Sequence, residues 1–336
     1  MNKVYFNDYF MTRFLFDKLE SKVDLALTFI QVGDVIKHRK LPFLLKAIKV
    51  RFVPFIYLFI FYMLRVLRLR TANKSYEGTV FYFSVENMYE LTLLLYHNRT
   101  IKRHVLWLWN PASSFGKNKY DKWVYLHLFI PTLKFVGVEL WSFDKADVNK
   151  YMFTYHPQVH NSFNLKQPGH LNLDGSLLSE KVFLFVGLDK GRLKKLSNLK
   201  SLLSRFKVGC EFHITADVGV KYLYQDSLLV RDCYLPYAEY LYKISKSFGL
   251  IDFVQNGQSG LTLRALEATF LKKKLITNNL SIKYYDFFNP SNIFILDENE
   301  VDYDGLALFL KSDYVEMDDK ILEKYDLNHL LESVFN

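Results

Sequence analysis

Cysteine is nearly absent: of 336 residues only Cys210 and Cys233 carry a thiol. Two isolated thiols without metal-ligand spacing exclude a disulfide framework and a zinc finger, and a reducing compartment is expected. Fourteen glycines and eight prolines are too few for a collagen-like or low-complexity chain, and no repeat of solenoid period stands out. Long apolar runs are missing as well. The most hydrophobic stretch, Phe52 to Leu64 (FVPFIYLFIFYML), falls short of the roughly 20 residues that cross a bilayer. The opening MNKVYFNDYFMTRFLF scatters charges among its apolar residues, which does not read as a signal peptide, so a cytoplasmic protein is expected.

Acidic residues are missing between Asp34 and Glu77. Lys37, Arg39, Lys40, Lys46, Lys49, Arg51, Arg65, Arg68, Arg70 and Lys74 all fall in that stretch. Those cations outnumber the net charge of +9, so the rest of the chain is close to neutral. Cations on both sides of an apolar run are the pattern of an interfacial helix that meets anionic lipid. Residues 37 to 74 are therefore expected to hold the protein peripherally at the inner membrane surface, with a buried helix carrying a solvated basic edge as the alternative. Nucleic-acid binding is not expected, because the cations surround a hydrophobic run rather than interleave with polar residues.

What is present in quantity is apolar: 50% of the residues are hydrophobic and 17% aromatic, which excludes disorder and gives two domains enough core. Residues 1 to 76 read as helical, because their apolar runs are too long for alternating strands. From Gly78 the rhythm changes to short apolar strands, TVFYF, HVLWLW and VELWSF, separated by segments of helical length. It restarts after the polar stretch 161 to 180 with KVFLFVG, CEFHIT, LIDFV, KLIT and NIFIL. That alternation predicts parallel sheets with crossover helices. The expected division is a helical segment over 1–76, an N-terminal Rossmann-like domain over 77–178, a C-terminal one over 179–318 and a final helix over 319–336.

Ligands of open parallel sheets collect at the carboxyl ends of strands, where helix N-termini face anions. DFVQNGQSGLTLRALEA makes such a junction, with a helix expected to open near Leu261. Gln258, Ser259, Gly260 and Thr262 form its turn: glycine allows close approach, and the hydroxyls serve as caps or phosphate donors. Glu267, a little over two helical turns after Ser259, is placed to accept from ribose hydroxyls. An ordinary capped helix is the plain alternative.

The stretch Gln258 to Asn279 resembles the donor-binding segment of GT-B glycosyltransferases, through Ser259, Leu266-Glu267-Ala268 and the basic turn into Lys274-Leu275-Ile276. FVGLDKGRL, WLWNP and SFDKADVNKY extend the likeness to bacterial glycosyltransferases of lipopolysaccharide and capsular polysaccharide synthesis. The resemblance implies an α/β chain of two Rossmann-like domains, a nucleotide-sugar donor, a saccharide or glycolipid acceptor and no metal or other cofactor. It also implies that Gly187, Lys190, Arg192 and Arg264 neutralise the donor diphosphate; a solvated basic turn and a surface ion pair are the alternatives. Ser259 stands where many retaining members carry a glutamate, which leaves the stereochemistry open with a lean to inversion.

An inverting transfer needs a base, which the resemblance places in the N-terminal domain. Asp144, within SFDKAD, ranks first and Glu86 second; Glu90, Asp147, His127, His156 and His160 are alternatives. Helix caps and ion pairs also explain acids at strand ends. Trp107 and Trp109 share one strand face and suit a sugar platform or a core, and Asn110 follows them as a polar candidate. A non-catalytic assembly protein of a surface-polysaccharide pathway, with a degenerate nucleotide fold, is the competing reading.

Overall fold

The computed structural model describes residues 2–7, 9–17, 19, 27–32, 54–56, 58–63, 76–116, 118–165, 181–254, 260–297 and 299–336. The chain divides into two compact units, one of residues 1–157 with 328–336 and the other of residues 158–327. The boundary expected near 178 thus falls earlier. Residues 158–165 join the second unit because His160 N–H donates to the Tyr325 carbonyl at 2.9 Å and the Ser162 N–H to the Asp326 carboxylate at 3.0 Å.

The first unit is a parallel sheet of β1 (Asn2–Phe6), β2 (Leu27–Gln31), β3 (Tyr76–Phe83), β4 (Ile101–Leu108), β5 (Val138–Ser142) and β6 (Thr154–Tyr155), in the order β2-β1-β3-β4-β5-β6. Two of these strands stand where the sequence reading expected helices. NKVYF and LTFIQ pair with each other in parallel register, and β1 pairs onward to β3; tertiary pairing overrides the local pattern. Residues 10–16, 54–56 and 58–63 are helical as expected. Covered on both faces, the second half of β3 is apolar throughout: Val80, Phe81, Tyr82 and Phe83 have no exposed surface, as a buried parallel strand requires. The order reverses between β1 and β3, where Asn7 Nδ2 donates to the Ser84 carbonyl at 3.2 Å.

The second unit repeats the plan with β7 (Val182–Leu188), β8 (Gly209–Thr215), β9 (Val230–Arg231), β10 (Gly249–Asp252), β11 (Lys274–Thr277) and β12 (Ile293–Ile295), ordered β12-β11-β10-β7-β8-β9 and parallel throughout. Counted from its first strand, this is the doubly wound Rossmann order, and its switch point lies between β7 and β10. Its core joins Phe183 and Phe185 of β7 to Leu196, Leu199 and Leu203 of the helix Leu193–Ser204 and to Ile251 and Ile276. No helix among the described residues is long and apolar enough to cross a membrane.

Candidate functional site

Strand β7 ends in the turn Asp189-Lys190-Gly191, which must reverse tightly before the helix at Leu193. Lys190 (φ 45°) and Gly191 (φ 74°) both adopt the left-handed conformation, and a side chain added at Gly191 meets nothing within 4 Å. The turn therefore opens to solvent. Asp189 fixes it from behind, accepting the Leu193 N–H at 2.8 Å and the Tyr222 hydroxyl at 3.1 Å. Asp217 accepts the Lys190 N–H at 2.7 Å. Burial and the neighbouring Arg192 lower the Lys190 ammonium from its ordinary value.

Arg192 and Arg264 both span the switch point. Arg192 donates to the Leu188 carbonyl at 2.8 Å and the Asp189 carbonyl at 3.1 Å on the β7 side, and to the Phe253 carbonyl at 2.8 Å on the β10 side. Arg264 donates to the Val186 carbonyl at 2.6 Å and forms an ion pair with Asp252 at 2.9 Å. Its Nε–H is buried with no hydrogen-bond partner among the described residues. Gly187 makes room for it: a Cβ there would lie 3.1 Å from Arg264 Nη2. Burial and the charge of Arg264 push Arg192 down to about 10.

Of the expected turn at 258–262, Gln258 and Ser259 lie outside the described residues. Gly260 is buried, and its carbonyl accepts from Asn279 Nδ2 at 3.4 Å. The helix opens at Leu263 and not near Leu261, because Thr262 is its N-cap: the hydroxyl accepts the Ala265 N–H at 3.2 Å and donates to Asp252 at 2.8 Å. Both bonds engage the hydroxyl inside the fold. Glu267 differs more from expectation. It is 2% exposed, and its two oxygens accept the Tyr237 hydroxyl at 2.7 Å and the Tyr240 hydroxyl at 2.6 Å. His160 Nε2 lies 3.7 Å from the same carboxylate. Burial favours the neutral acid, yet the bonds from His160, Tyr240 and Tyr237 hold the Glu267 carboxyl below its usual value. Instead of facing solvent beside the turn, Glu267 anchors a buried network.

In the first unit the two ranked acids differ in burial and in partners. Asp144 is 1% exposed and caps the helix Lys145–Tyr151 by accepting the Ala146 N–H at 2.8 Å. Asp147 is buried and accepts the Ala112 N–H at 2.7 Å; burial pushes it up to about 6. Glu86 lies just beyond β3, half-buried, and accepts the Trp109 N–H at 2.6 Å, the Asn110 N–H at 2.9 Å and Asn110 Nδ2 at 3.0 Å. Burial raises its carboxyl to about 7, although the bonds from Asn110 and Trp109 pull the other way. Glu86 also lines a cavity of about 530 Å3 with Ser114, Phe115, Asp121 and Tyr125. It is thus the acid with both an open side and a proton that exchanges near neutrality. Trp107 is fully buried between Phe83 and Phe143 rings, a core residue. His156 is also packed, bonded to His329 Nδ1 at 2.9 Å and lowered by burial to about 4.

Asp252, Asp189, Asp217, Tyr237 and Tyr240 were not among the sequence candidates. Asp252 had a signal, an acid at the end of the apolar strand LIDFV; the tyrosines, three residues apart on one helix, had only their spacing.

The two-unit architecture is similar to an alpha-glucosyltransferase solved in complex with UDP and a 13-mer DNA containing a central A:G mismatch. The TM-score is 0.51 at 14% identity, over 100% of this chain and 96% of that one. The fold is therefore that of two doubly wound α/β units on the GT-B plan. Weaker likenesses are an alpha,alpha-trehalose-phosphate synthase (UDP-forming) from Burkholderia vietnamiensis (TM-score 0.45, 11% identity, 82% of this chain and 73% of that) and the glycotransferase of kitacinnamycin (0.40, 11%, 100% and 99%). No family model matches the sequence, and no curated protein matches it.

Proposed function

We propose that the chain is a glycosyltransferase that takes a sugar from a nucleotide-diphosphate donor and passes it to a saccharide acceptor. One observation carries the reading: Arg192 and Arg264 stand together at the switch point of a doubly wound unit, beside a solvent-open turn that adds Lys190. A diphosphate suits that place, since guanidinium forks bind phosphate oxygens and offset the charge that grows on the leaving group. No metal is required by this arrangement. Glu86 takes the proton of the acceptor hydroxyl while that oxygen bonds to the sugar C1. The C1–O bond to the diphosphate breaks, and its electron pair leaves with the nucleoside diphosphate.

The acceptor belongs to a lipopolysaccharide, lipid-linked or capsular saccharide at the cytoplasmic membrane face. Support comes from residues 54–63: Leu58 and Phe61 are fully buried, while Ile56, Phe59, Ile60 and Met63 are 51, 64, 38 and 38% exposed. Phe135, 71% exposed, meets Tyr62 at 5.0 Å between ring centroids. An apolar face flanked in sequence by the cations of 37–51 and 65–74 fits the headgroup boundary of an anionic bilayer.

A specific feature favours the second reading, a non-catalytic assembly protein. The three cations at the switch point are matched by Asp189, Asp217 and Asp252, and Glu267 and Thr262 are engaged internally. The two readings part in one experiment: calorimetry and thermal shift with UDP-, GDP-, CMP- and dTDP-sugars, followed by transfer assays with the nucleotide that binds. Binding with turnover supports the enzyme. Binding without turnover supports the assembly protein, and absence of binding removes the donor site altogether.

A further inference from the structure

Strand β3 ends at Phe83, and the helix Met88–His97 opens after its cap Asn87. Between them Ser84 takes φ 59°, in the left-handed region that a side chain disfavours. Met152, Lys190, Lys207 and Lys272 share that region, and all of them are exposed. Ser84 is 1% exposed. Two bonds hold it: its N–H donates to the Trp107 carbonyl at 3.1 Å, and its carbonyl accepts from Asn7 Nδ2 at 3.2 Å. A buried residue keeps such a backbone only where its surroundings over-determine it, and residues of this kind cluster at functional sites.

The consequence is a phase slip. Alternate residues of a strand face opposite sides, and Val80 and Tyr82 share one core with Leu106 and Leu108 of β4. Regular alternation would send Glu86 to that side and Val85 to the other, with Phe81 and Phe83. Instead Val85 joins the core of Tyr82. Glu86 is left at the end of β4, where Oε1 accepts the N–H groups of Trp109 and Asn110 and Oε2 accepts Asn110 Nδ2. A carboxylate has about four acceptor positions, so Oε2 keeps one for a further donor.

We propose that Ser84 is a positioning residue: its left-handed backbone, tied to the ends of β1 and β4, sets the Glu86 carboxylate on the two N–H groups beyond β4 and keeps its remaining acceptor position for a ligand hydroxyl in the adjoining cavity. The proposal rests on the reading of Glu86 as the acceptor's base, which needs that position open. Glycine adopts the same backbone freely, whereas a β-branched residue is driven out of it.

NMR titration of the full chain, labelled with carbon-13 at the glutamate carboxyl, tests this, with Glu86→Gln identifying the Glu86 signal. Its inflection in the parent is expected near 7. Ser84→Gly should keep that inflection and melt no lower than the parent. Ser84→Val should move it by about one pH unit or more toward the ordinary 4.5, as the carboxylate swings into water, and lower kcat/KM about tenfold or more. Asn7→Ala, which removes one of the two ties, should move it the same way. The titratable groups facing the carboxylate across the described lining, Asp121 and Tyr125, are unchanged in all three variants. An inflection that stays near 7 in Ser84→Val, one that moves as far in Ser84→Gly, or a parent inflection already at the ordinary value overturns the proposal. Should Ser84→Val fail to fold, Asn7→Ala takes its place as the deciding variant. Titration and transfer also separate the positioning from the reading it rests on. A moved inflection with undiminished transfer by Glu86→Gln removes the base, whereas an unmoved inflection with an inactive Glu86→Gln enzyme removes the positioning alone.

Discussion

Arg192 and Arg264 lie over the same Phe185 ring, with guanidinium carbons 5.3 and 4.9 Å from its centroid. Two like charges share one aromatic platform because each is also tied to carbonyls at the mouth of the sheet, and Arg264 to Asp252 besides. Their mutual repulsion is relieved by the carboxylates of Asp252, Asp189 and Asp217, a role that the phosphate oxygens of the proposed donor would share. A diphosphate that enters there meets donors already oriented by the β7 and β10 strand ends.

Arg192→Lys follows from that geometry. Lysine keeps the charge and loses the planar fork that reaches both strands. Affinity for UDP or another nucleoside diphosphate is expected to fall about tenfold to a hundredfold, equivalent to roughly 1.4 to 2.8 kcal/mol. Titration calorimetry against the unsubstituted chain checks this. An unchanged affinity would move the diphosphate away from Arg192.

Glu86 sets a pH dependence. A base must be ionised to accept the hydroxyl proton, and its carboxyl is raised by burial to about 7. Transfer measured as kcat/KM should therefore rise from pH 6 to pH 8 with its inflection near 7. Glu86→Gln should lose on the order of a hundredfold and flatten the profile. Because the folded value lies above the unfolded one, the native state binds the extra proton between about 4.5 and 7, and Glu86 makes stability fall with rising pH across that window. Activity and stability thus shift in opposite directions there, and measuring both on Glu86→Gln separates the base from a structural acid.

The exposed face at residues 56–63 predicts membrane recruitment. Phe59→Ser removes one large exposed aromatic, and a side chain of that size contributes about 1.5 to 3 kcal/mol on leaving water. Co-sedimentation with phosphatidylglycerol vesicles should drop about tenfold or more, with thermal stability unchanged because Phe59 is 64% exposed. Leu58→Ser, in the fully buried position beside it, should instead unfold the first unit.

Apart from the two-residue edge strands β6 and β9, the strands from β3 onward are readable in the sequence, because each carries a short apolar run. β1 and β2 are not, since NKVYF and LTFIQ owe their conformation to each other and to β3 rather than to any local pattern. The site is legible in part. Gly187, Lys190 and Arg192 lie at one strand-to-helix junction and Arg264 at the next; the family resemblance singles them out, and the structure brings them to one switch point. What Glu267 touches is invisible in one dimension: Tyr237 and Tyr240 lie about thirty residues upstream on another helix. Asp144 and Glu86 look alike as acids after strands. The first is absorbed as a helix cap, and only the cavity distinguishes the second.

Glu267 is predicted to matter for folding before it matters for chemistry. Its carboxylate is fully engaged by two tyrosine hydroxyls and faces His160, and removing one partner of a buried charged cluster costs about 3 to 5 kcal/mol. Glu267→Ala should therefore lower the melting temperature markedly, because it removes the carboxylate that accepts the Tyr237 and Tyr240 hydroxyls. The sign of its pH dependence follows from a folded value held below the unfolded one. Its contribution is fully present above the ordinary carboxylate range and disappears as pH falls through the depressed folded value. Glu267→Gln keeps the shape and accepts only part of the network, so it should be less stable than the parent at pH 7, with the gap closing toward pH 3. Thermal denaturation across pH 3 to 8 checks this, and a gap that stays constant with pH would mean that the carboxylate charge does not hold the network together.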